Sequence, residues 1–446
     1  MRNKIALTII ALAVGTSAWS QNLTLDSCKA YALENNHRVK EGRLELEASE
    51  QVKKGAFTHY FPTINAGAAA MKANKHLIEA EVPEMNLPVY NGNPANIPVA
   101  TEFAYFPGMD LQLLDYTNIG MVTAIQPIYV GGRVRNGNKL AALGEEFAEH
   151  QLSLTTEEVL VSTEYYYWNI MALEEKKKTL EGYELLLKSL LNDVTNAFDA
   201  GLIHKSDVLK VQLELNKLQS NKLQLENGLS LVKMTMAQHI GIAYSDTLNF
   251  EQEELKGQVP ADVFKTPSDA LINRNEYQML NKAIRAEELQ KNLSRGEYMP
   301  SLSVGIQGLY LDVVENQNTY GLAFATVSIP LSGWWGGSHE IKEHKIKIDI
   351  AQNNLDEKSE LLMLQMEKSY KDLLENYQQI EVARLSEKQA EEHLNDVSNN
   401  YEAGVMGTSD LLEAQAIYQQ SRDAIVDAQA NYKIKLAYYY QVTAQN

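Results

Sequence analysis

Along two long stretches of this chain, apolar residues recur at three- and four-residue steps. Leu185, Leu186, Leu190 and Val194 do so in the first, and Leu355, Leu362, Met366, Leu373 and Tyr377 in the second, with charged, Gln and Asn residues between them. That is the period of an amphipathic helix. Proline placement sets how far such helices can run. All 11 prolines lie between 62 and 127, at 260 and 267, or at 300 and 330, so 128–259 and 331–446 are free of helix breakers. Each tract is punctuated once, at Gly201 and at Gly404, and is therefore expected to be a helical hairpin, spanning 133–241 and 338–443. A helix of about 65 residues is roughly 100 Å long, which no compact core can bury. It must lie along its own partner and along other chains.

Shorter segments carry the other period. After Pro300, Ser301, Ser303, Gly305 and Gln307 alternate with Leu302, Val304 and Ile306, which predicts a strand over 301–311 with one polar and one apolar face. A second strand is expected over 320–329, with Asn316–Thr319 as the turn between them. The first half offers a matching pair, 63–71 and 117–129. The segment 76–114, rich in Pro, Asn and Gly, reads as a long surface loop.

The two halves also match in letters. Asp199-Ala200-Gly201 followed by Ser206-Asp207-Val208-Leu209 returns as Glu402-Ala403-Gly404 followed by Ser409-Asp410-Leu411-Leu412, 203 positions on. Pro127 and Pro330 keep the same separation, as do Tyr167 and Tyr370. Earlier, Ala32-Leu33 matches Ala270-Leu271 and Phe61-Pro62 matches Met299-Pro300 at a separation of 238, so the first half holds 35 extra residues between Pro62 and Pro127. Such regularity indicates an internal duplication. The expected organisation is a leader over 1–20, a first repeat over 21–241, a connecting segment over 242–266 and a second repeat over 267–446, each repeat reading helix, strand, loop, strand, long helix, turn, helix.

The leader follows from Arg2 and Lys4 before the apolar run Ile5–Val14, with Ala18-Trp19-Ser20 before Gln21. Ten apolar residues are too few to span a membrane as a helix, and no later stretch is longer. The single cysteine, Cys28, can form no intrachain disulfide and reads as a small apolar residue on a helix. A net charge of −18 disfavours nucleic acid.

A leader with alternating strands suggests a membrane β-barrel, yet four strands cannot close one, since about eight is the minimum, and an open edge in lipid leaves backbone groups unpaired. The chain is expected to oligomerise to build its barrel. Tyr310, Tyr320 and Phe324 in or beside the strands, and Trp334-Trp335 just after the last one, would then mark the membrane surfaces. Ordinary packing at a strand–helix junction is the other reading of the Trp pair. Gly131-Gly132 and Gly336-Gly337 read as junction turns. Nothing resembles a catalytic centre: there is no HExxH, GxSxG or Walker loop, and His339 and His344, five apart, read as solvated helix residues. No enzyme activity, cofactor or metal site is expected.

The ordered set of Leu25-Asp26-Ser27 through Ala32-Leu33-Glu34-Asn35-Asn36, Tyr60-Phe61-Pro62, Gln126-Pro127-Ile128 with Gly131-Gly132, and the paired Ala-Gly turns resembles the TolC-like outer-membrane efflux proteins over about residues 22–442. The resemblance implies a mainly α fold with a small antiparallel β part: long helical hairpins in a periplasmic α-barrel, and four strands per chain of a twelve-stranded transmembrane barrel in a homotrimer. It also implies a passive exit duct in the outer-membrane lipid, extending into the periplasm and working with an inner-membrane pump through a periplasmic adaptor. A soluble periplasmic coiled-coil adaptor or scaffold is the alternative, although one hairpin between β domains would suit that better than two hairpins alternating with two strand pairs.

By the same resemblance, Gly201-Leu202 and Gly404-Val405 are adaptor-docking tips; simple helix C-caps explain the glycines equally well. Asp410 and Glu413, one helical turn apart, fall where the family places entrance carboxylates, which in several copies would form rings that attract cations. A preference of acids for a helix amino terminus is the other reading, and the stronger one for Asp207, which is followed by Lys210. Where some relatives carry a latch arginine, this chain has Met406.

Overall fold

The computed structural model describes residues 22–75, 78–90, 92–113, 116–251, 258–313 and 316–445. The expected leader, 1–20, lies outside them. The chain divides into two units. One comprises Met1–Ser49, Glu145–Ala283 and Ala351–Asn446, the other Glu50–Gly144 and Ile284–Ile350.

In chain order the elements are β1 (Asn22–Leu23), α1 (Leu25–Asn35), α2 (His37–Thr58), β2 (Thr63–Lys72), β3 (Ile78–Val82), β4 (Met85–Pro88), a 3-10 turn (Pro94–Val99), β5 (Phe103–Phe106), β6 (Met109–Leu113), β7 (Tyr116–Val130), α3 (Arg133–Asp199) and α4 (Lys205–His239). Then follow β8 (Asn249–Phe250), α5 (Pro260–Val263), α6 (Pro267–Leu271), α7 (Asn275–Glu297), β9 (Ser301–Val313), β10 (Asn316–Ser328), α8 (Gly333–Glu402) and α9 (Thr408–Val442). With no proline inside them, α3 and α8 run for 67 and 70 residues, about 100 Å each.

In the first unit, the apolar stripes of these helices form the core. Matching positions of the two halves are buried alike: Ile170 with Leu373, Val194 with Val397, Val211 with Ala414 and Met236 with Tyr439. Polar groups correspond as well. Buried Asn36 donates to the carbonyl oxygen of His239 at 2.8 Å, and buried Arg274, at the matching position, donates to that of Val442 at 2.6 Å. The first ties the end of α1 to the end of α4, and the second ties the start of α7 to the end of α9. The connecting segment contributes to this packing. Phe250 is buried, its strand β8 pairs in parallel with β1, and the preceding region's Tyr167 donates its hydroxyl to the Glu251 carbonyl at 2.6 Å.

In the second unit, four strands form a sheet in the order β10-β9-β7-β2, all antiparallel, with β2 and β10 as free edges. Register fixes the two faces. One carries Ile64, Ala124, Ile306 and Ala323 in a row, then Ala66, Val122, Gly308 and Gly321; the other carries Asn65, Thr123, Gln307 and Leu322. Ile64, Val122, Ile306 and Val327 on the apolar face are all exposed.

Four sequence expectations need correction here. The described residues of 76–114 are largely paired strand, β3 pairing with β6 and β4 with β5; Pro83 and Pro107 fall outside the ladders, Pro88 ends β4, and Pro94 and Pro98 sit in the 3-10 turn, so none interrupts the pairing. Asn316–Thr319 is strand, because Asn316 pairs with Val313, Gln317 with Asp312 and so on along β9. The strands accordingly run further than expected, β9 to Val313 and β10 from Asn316 to Ser328. Finally, α8 begins at Gly333, which places Trp334, Trp335, Gly336 and Gly337 inside its first turns rather than before it.

Candidate functional site

The two helical turns of the first unit share one geometry. Asp199 ends α3, and beyond it Gly201 adopts a φ of +76° while its N–H bonds the Phe198 carbonyl at 2.8 Å and that of Leu202 reaches Ala197 at 2.9 Å. At the end of α8, Gly404 has a φ of +74°, its N–H bonds Tyr401 at 2.9 Å, and that of Val405 reaches Asn400 at 2.9 Å. Both are Schellman caps, which need a residue free to enter the left-handed region. In such caps the apolar residue after the glycine commonly packs back on its helix. Here Leu202 and Val405 remain 78% and 75% exposed.

The carboxylates sit just beyond. Asp410 lies in the first turn of α9, and its Oδ2 accepts the N–H of Gly407 at 2.9 Å. Glu413 is exposed on the next turn and makes no hydrogen bond or ion pair among the described residues. Asp207, half-buried in the first turn of α4, is 3.4 Å from Lys210, whose Nζ also donates to Ser409 Oγ at 2.7 Å. Lys210 thus joins α4 to the start of α9. Directly behind these turns, Val211, Leu411 and Ala414 pack with Val194 and Val397 in a buried cluster. The Met406 N–H bonds the Asn400 carbonyl at 3.2 Å.

A polar layer that sequence reasoning missed links α3 to α9. Lys176 pairs with Asp427 at 2.7 Å, and Gln419 donates to Thr179 Oγ1 at 3.0 Å and to Asp423 Oδ1 at 3.2 Å. Burial holds the Asp423 carboxyl above the usual range against the pull of Lys176. Its members lie some 240 positions apart in the chain, so no local pattern could have announced them.

In the second unit, the Trp pair divides. Trp334 Nε1 donates to the Tyr298 carbonyl at 2.8 Å, a junction contact, while Trp335 is 82% exposed. Tyr298 and Ser294 donate their hydroxyls to Glu340, whose carboxyl is held below the usual range by these bonds. His339 is exposed, but His344 is largely covered, its Nδ1 lying 4.0 Å from Glu287 Oε2. The expectation that both are solvated fails for His344, because α7 packs beside it. Among the described residues no group of His, Cys, Asp and Glu is arranged to hold a metal, and no helix is long and apolar enough to cross a membrane.

Residues 266–445 match the Outer membrane efflux protein family. No curated protein sequence matches the chain. Among solved structures, the outer-membrane channel OprN is 13% identical and aligns over 95% of this chain and 90% of its own, with a TM-score of 0.75. The Campylobacter jejuni CmeC outer membrane channel is 14% identical over 94% and 85%, with a TM-score of 0.74. The Neisseria gonorrhoeae MtrE outer membrane channel, in its open state, is 14% identical over 94% and 88%, with a TM-score of 0.71. The resemblance to TolC-like outer-membrane efflux proteins read from the sequence is thus matched in sequence over residues 266–445 and in fold along nearly the whole chain.

Proposed function

We propose that this chain is an outer-membrane channel, the exit duct of a tripartite efflux or secretion system, passive in itself and coupled to an inner-membrane pump by a periplasmic adaptor. The observation that carries the reading is the sheet: four strands, one face with an exposed apolar row, and two long edges that have no partner among the described residues. In water such edges invite aggregation; in lipid they must be paired. Three copies closing one twelve-stranded barrel would pair every edge and turn every apolar face to lipid. The matches to the efflux family and to outer-membrane channels support the same assignment.

Within it, Gly201-Leu202 and Gly404-Val405 are the adaptor-docking tips, supported by the uncovered apolar residue that follows each cap. Asp410 and Glu413 are the entrance carboxylates. Asp207 contributes less charge there because Lys210 faces it. Trp335 anchors the barrel at the membrane surface, and Trp334 braces the junction. The test is the mass of the protein extracted by detergent from isolated outer membranes. A trimer is expected; a monomer in the soluble periplasmic fraction would replace the duct by the adaptor or scaffold reading.

A further inference from the structure

The first-half hairpin has no counterpart in the second half, where β9 and β10 are joined by two residues. Beyond the Lys72–Tyr116 pair it projects as a two-stranded ribbon, a form that is marginal in water by itself. Its outer ladder is apolar on both sides. Met85, Leu87, Ala104 and Phe106 share one face, and Pro88, Phe103 and Tyr105 with Asn86 share the other. Met85, Leu87, Phe103 and Tyr105 are 41%, 44%, 57% and 63% exposed.

Two further observations narrow what covers it. The ribbon is carried by β2, a free edge of the sheet, so it is continuous with the seam at which, on the proposed function, the next copy's β10 joins. And residues 76–132 contain no Lys or Arg but do contain Glu79, Glu81, Glu84, Glu102, Asp110 and Asp115, which disfavours lying on an anionic headgroup surface. A lipid surface or a single ligand would also cover only one face. A ring of like copies covers both, one face of each ribbon meeting the other face of the next, in the head-to-tail manner of a closed ring. The acids need not oppose this: Glu84 is engaged by the Tyr105 hydroxyl at 2.6 Å, and Glu81 and Asp110 lie on the inner ladder, off the apolar belt.

We infer that the β4–β5 ribbon is an association surface for further copies of this chain: the ribbons pack into a ring, Leu87 of each against Phe103 and Tyr105 of the next, and narrow the outer mouth. The inference rests on the proposed trimer. The experiment is thiol cross-linking of the full-length protein in its own membranes, carrying Leu87→Cys together with Phe103→Cys. Native Cys28 is fully buried with its thiol pushed up to about 12, so it stays silent toward a short bis-maleimide. The expected result is a ladder up to the covalent trimer in the double variant and no trimer in either single variant. A trimeric mass in detergent with no cross-linked ladder overturns the ribbon ring while leaving the channel reading intact. Cross-links to a different protein overturn it in favour of a foreign partner. A monomeric mass removes its premise and sinks both.

Discussion

At the scale of single residues, Asp410 carries two properties that a simple truncation would confuse. Its carboxylate caps α9 through Gly407, and removing such a cap costs about 1 kcal/mol. Its charge, with that of Glu413, is what an entrance ring would use. Asp410→Asn with Glu413→Gln keeps the acceptor and removes the charge. Thermal stability is expected to stay within about 1 kcal/mol, while block of the channel by multivalent cations in bilayer recordings is expected to fall by an order of magnitude or so. Unchanged block would take these residues out of the gate. Asp423 is a separate case, because its carboxyl is shifted upward by burial. The protonated form favours the folded chain, so its contribution is present below the ordinary aspartate range and is lost as pH rises through the raised value. At neutral pH the charge is therefore a burden, only partly relieved by Lys176. Asp423→Asn, which keeps an acceptor for Gln419, is expected to raise the melting temperature at neutral pH and to flatten its pH dependence. A lower melting temperature would mean that the pairing with Lys176 outweighs burial. Neither the polar layer around Asp423 nor the His344–Glu287 approach was legible in the sequence, since each depends on which faces of distant helices meet.

At the scale of elements, the hairpins were legible because proline absence and glycine punctuation act locally: Gly201 and Gly404 mark the turns, and the apolar steps mark the buried stripe. The strands were legible where a polar and an apolar face alternate. They were misread where composition imitates a loop. Asn316-Gln317-Asn318-Thr319 looks like a turn, yet the pairing simply continues past the apolar band, and the prolines of 76–114 sit between ladders or, like Pro88, at the end of one. The two kinds of glycine separate by experiment. At Gly404 an added Cβ meets nothing within 4 Å, so Gly404→Ala pays only the left-handed backbone, about 1 kcal/mol. At Gly131, with φ +66°, the Cβ would lie 2.2 Å from the Gly296 carbonyl oxygen, and a Cβ on Gly296 would lie 2.7 Å from the Gly131 carbonyl oxygen. Gly131→Ala is expected to cost several times more, on the order of 3 kcal/mol or above, and to impair assembly, whereas Gly404→Ala assembles. Equal unfolding midpoints in denaturant for the two variants would contradict this account.

At the scale of the whole molecule, the decisive distinction is between a sheet that faces lipid and one that faces water, and the register makes it testable at neighbouring positions. Ile306 and Gln307 are adjacent in β9 and point to opposite faces. Ile306 is 64% exposed on the apolar side, aligned with Ala124 and Ala323, and Gln307 is half-buried on the side of Asn65 and Thr123. If the apolar face meets hydrocarbon, Ile306→Lys places a cation there at a cost of roughly 2–4 kcal/mol per copy near the bilayer midplane, repeated in each copy of the assembly. The yield of assembled protein in the outer membrane should then fall sharply. Gln307→Lys places the same charge on the opposite face, beside Asn65 and Thr123, so assembly should persist while the ratio of cation to anion conductance falls. A soluble periplasmic protein would tolerate Ile306→Lys at least as well as Gln307→Lys, because a lysine in water relieves an exposed apolar surface. The asymmetry between two consecutive residues therefore tests the barrel face by face, without depending on the identity of the pump, the adaptor or the exported molecule.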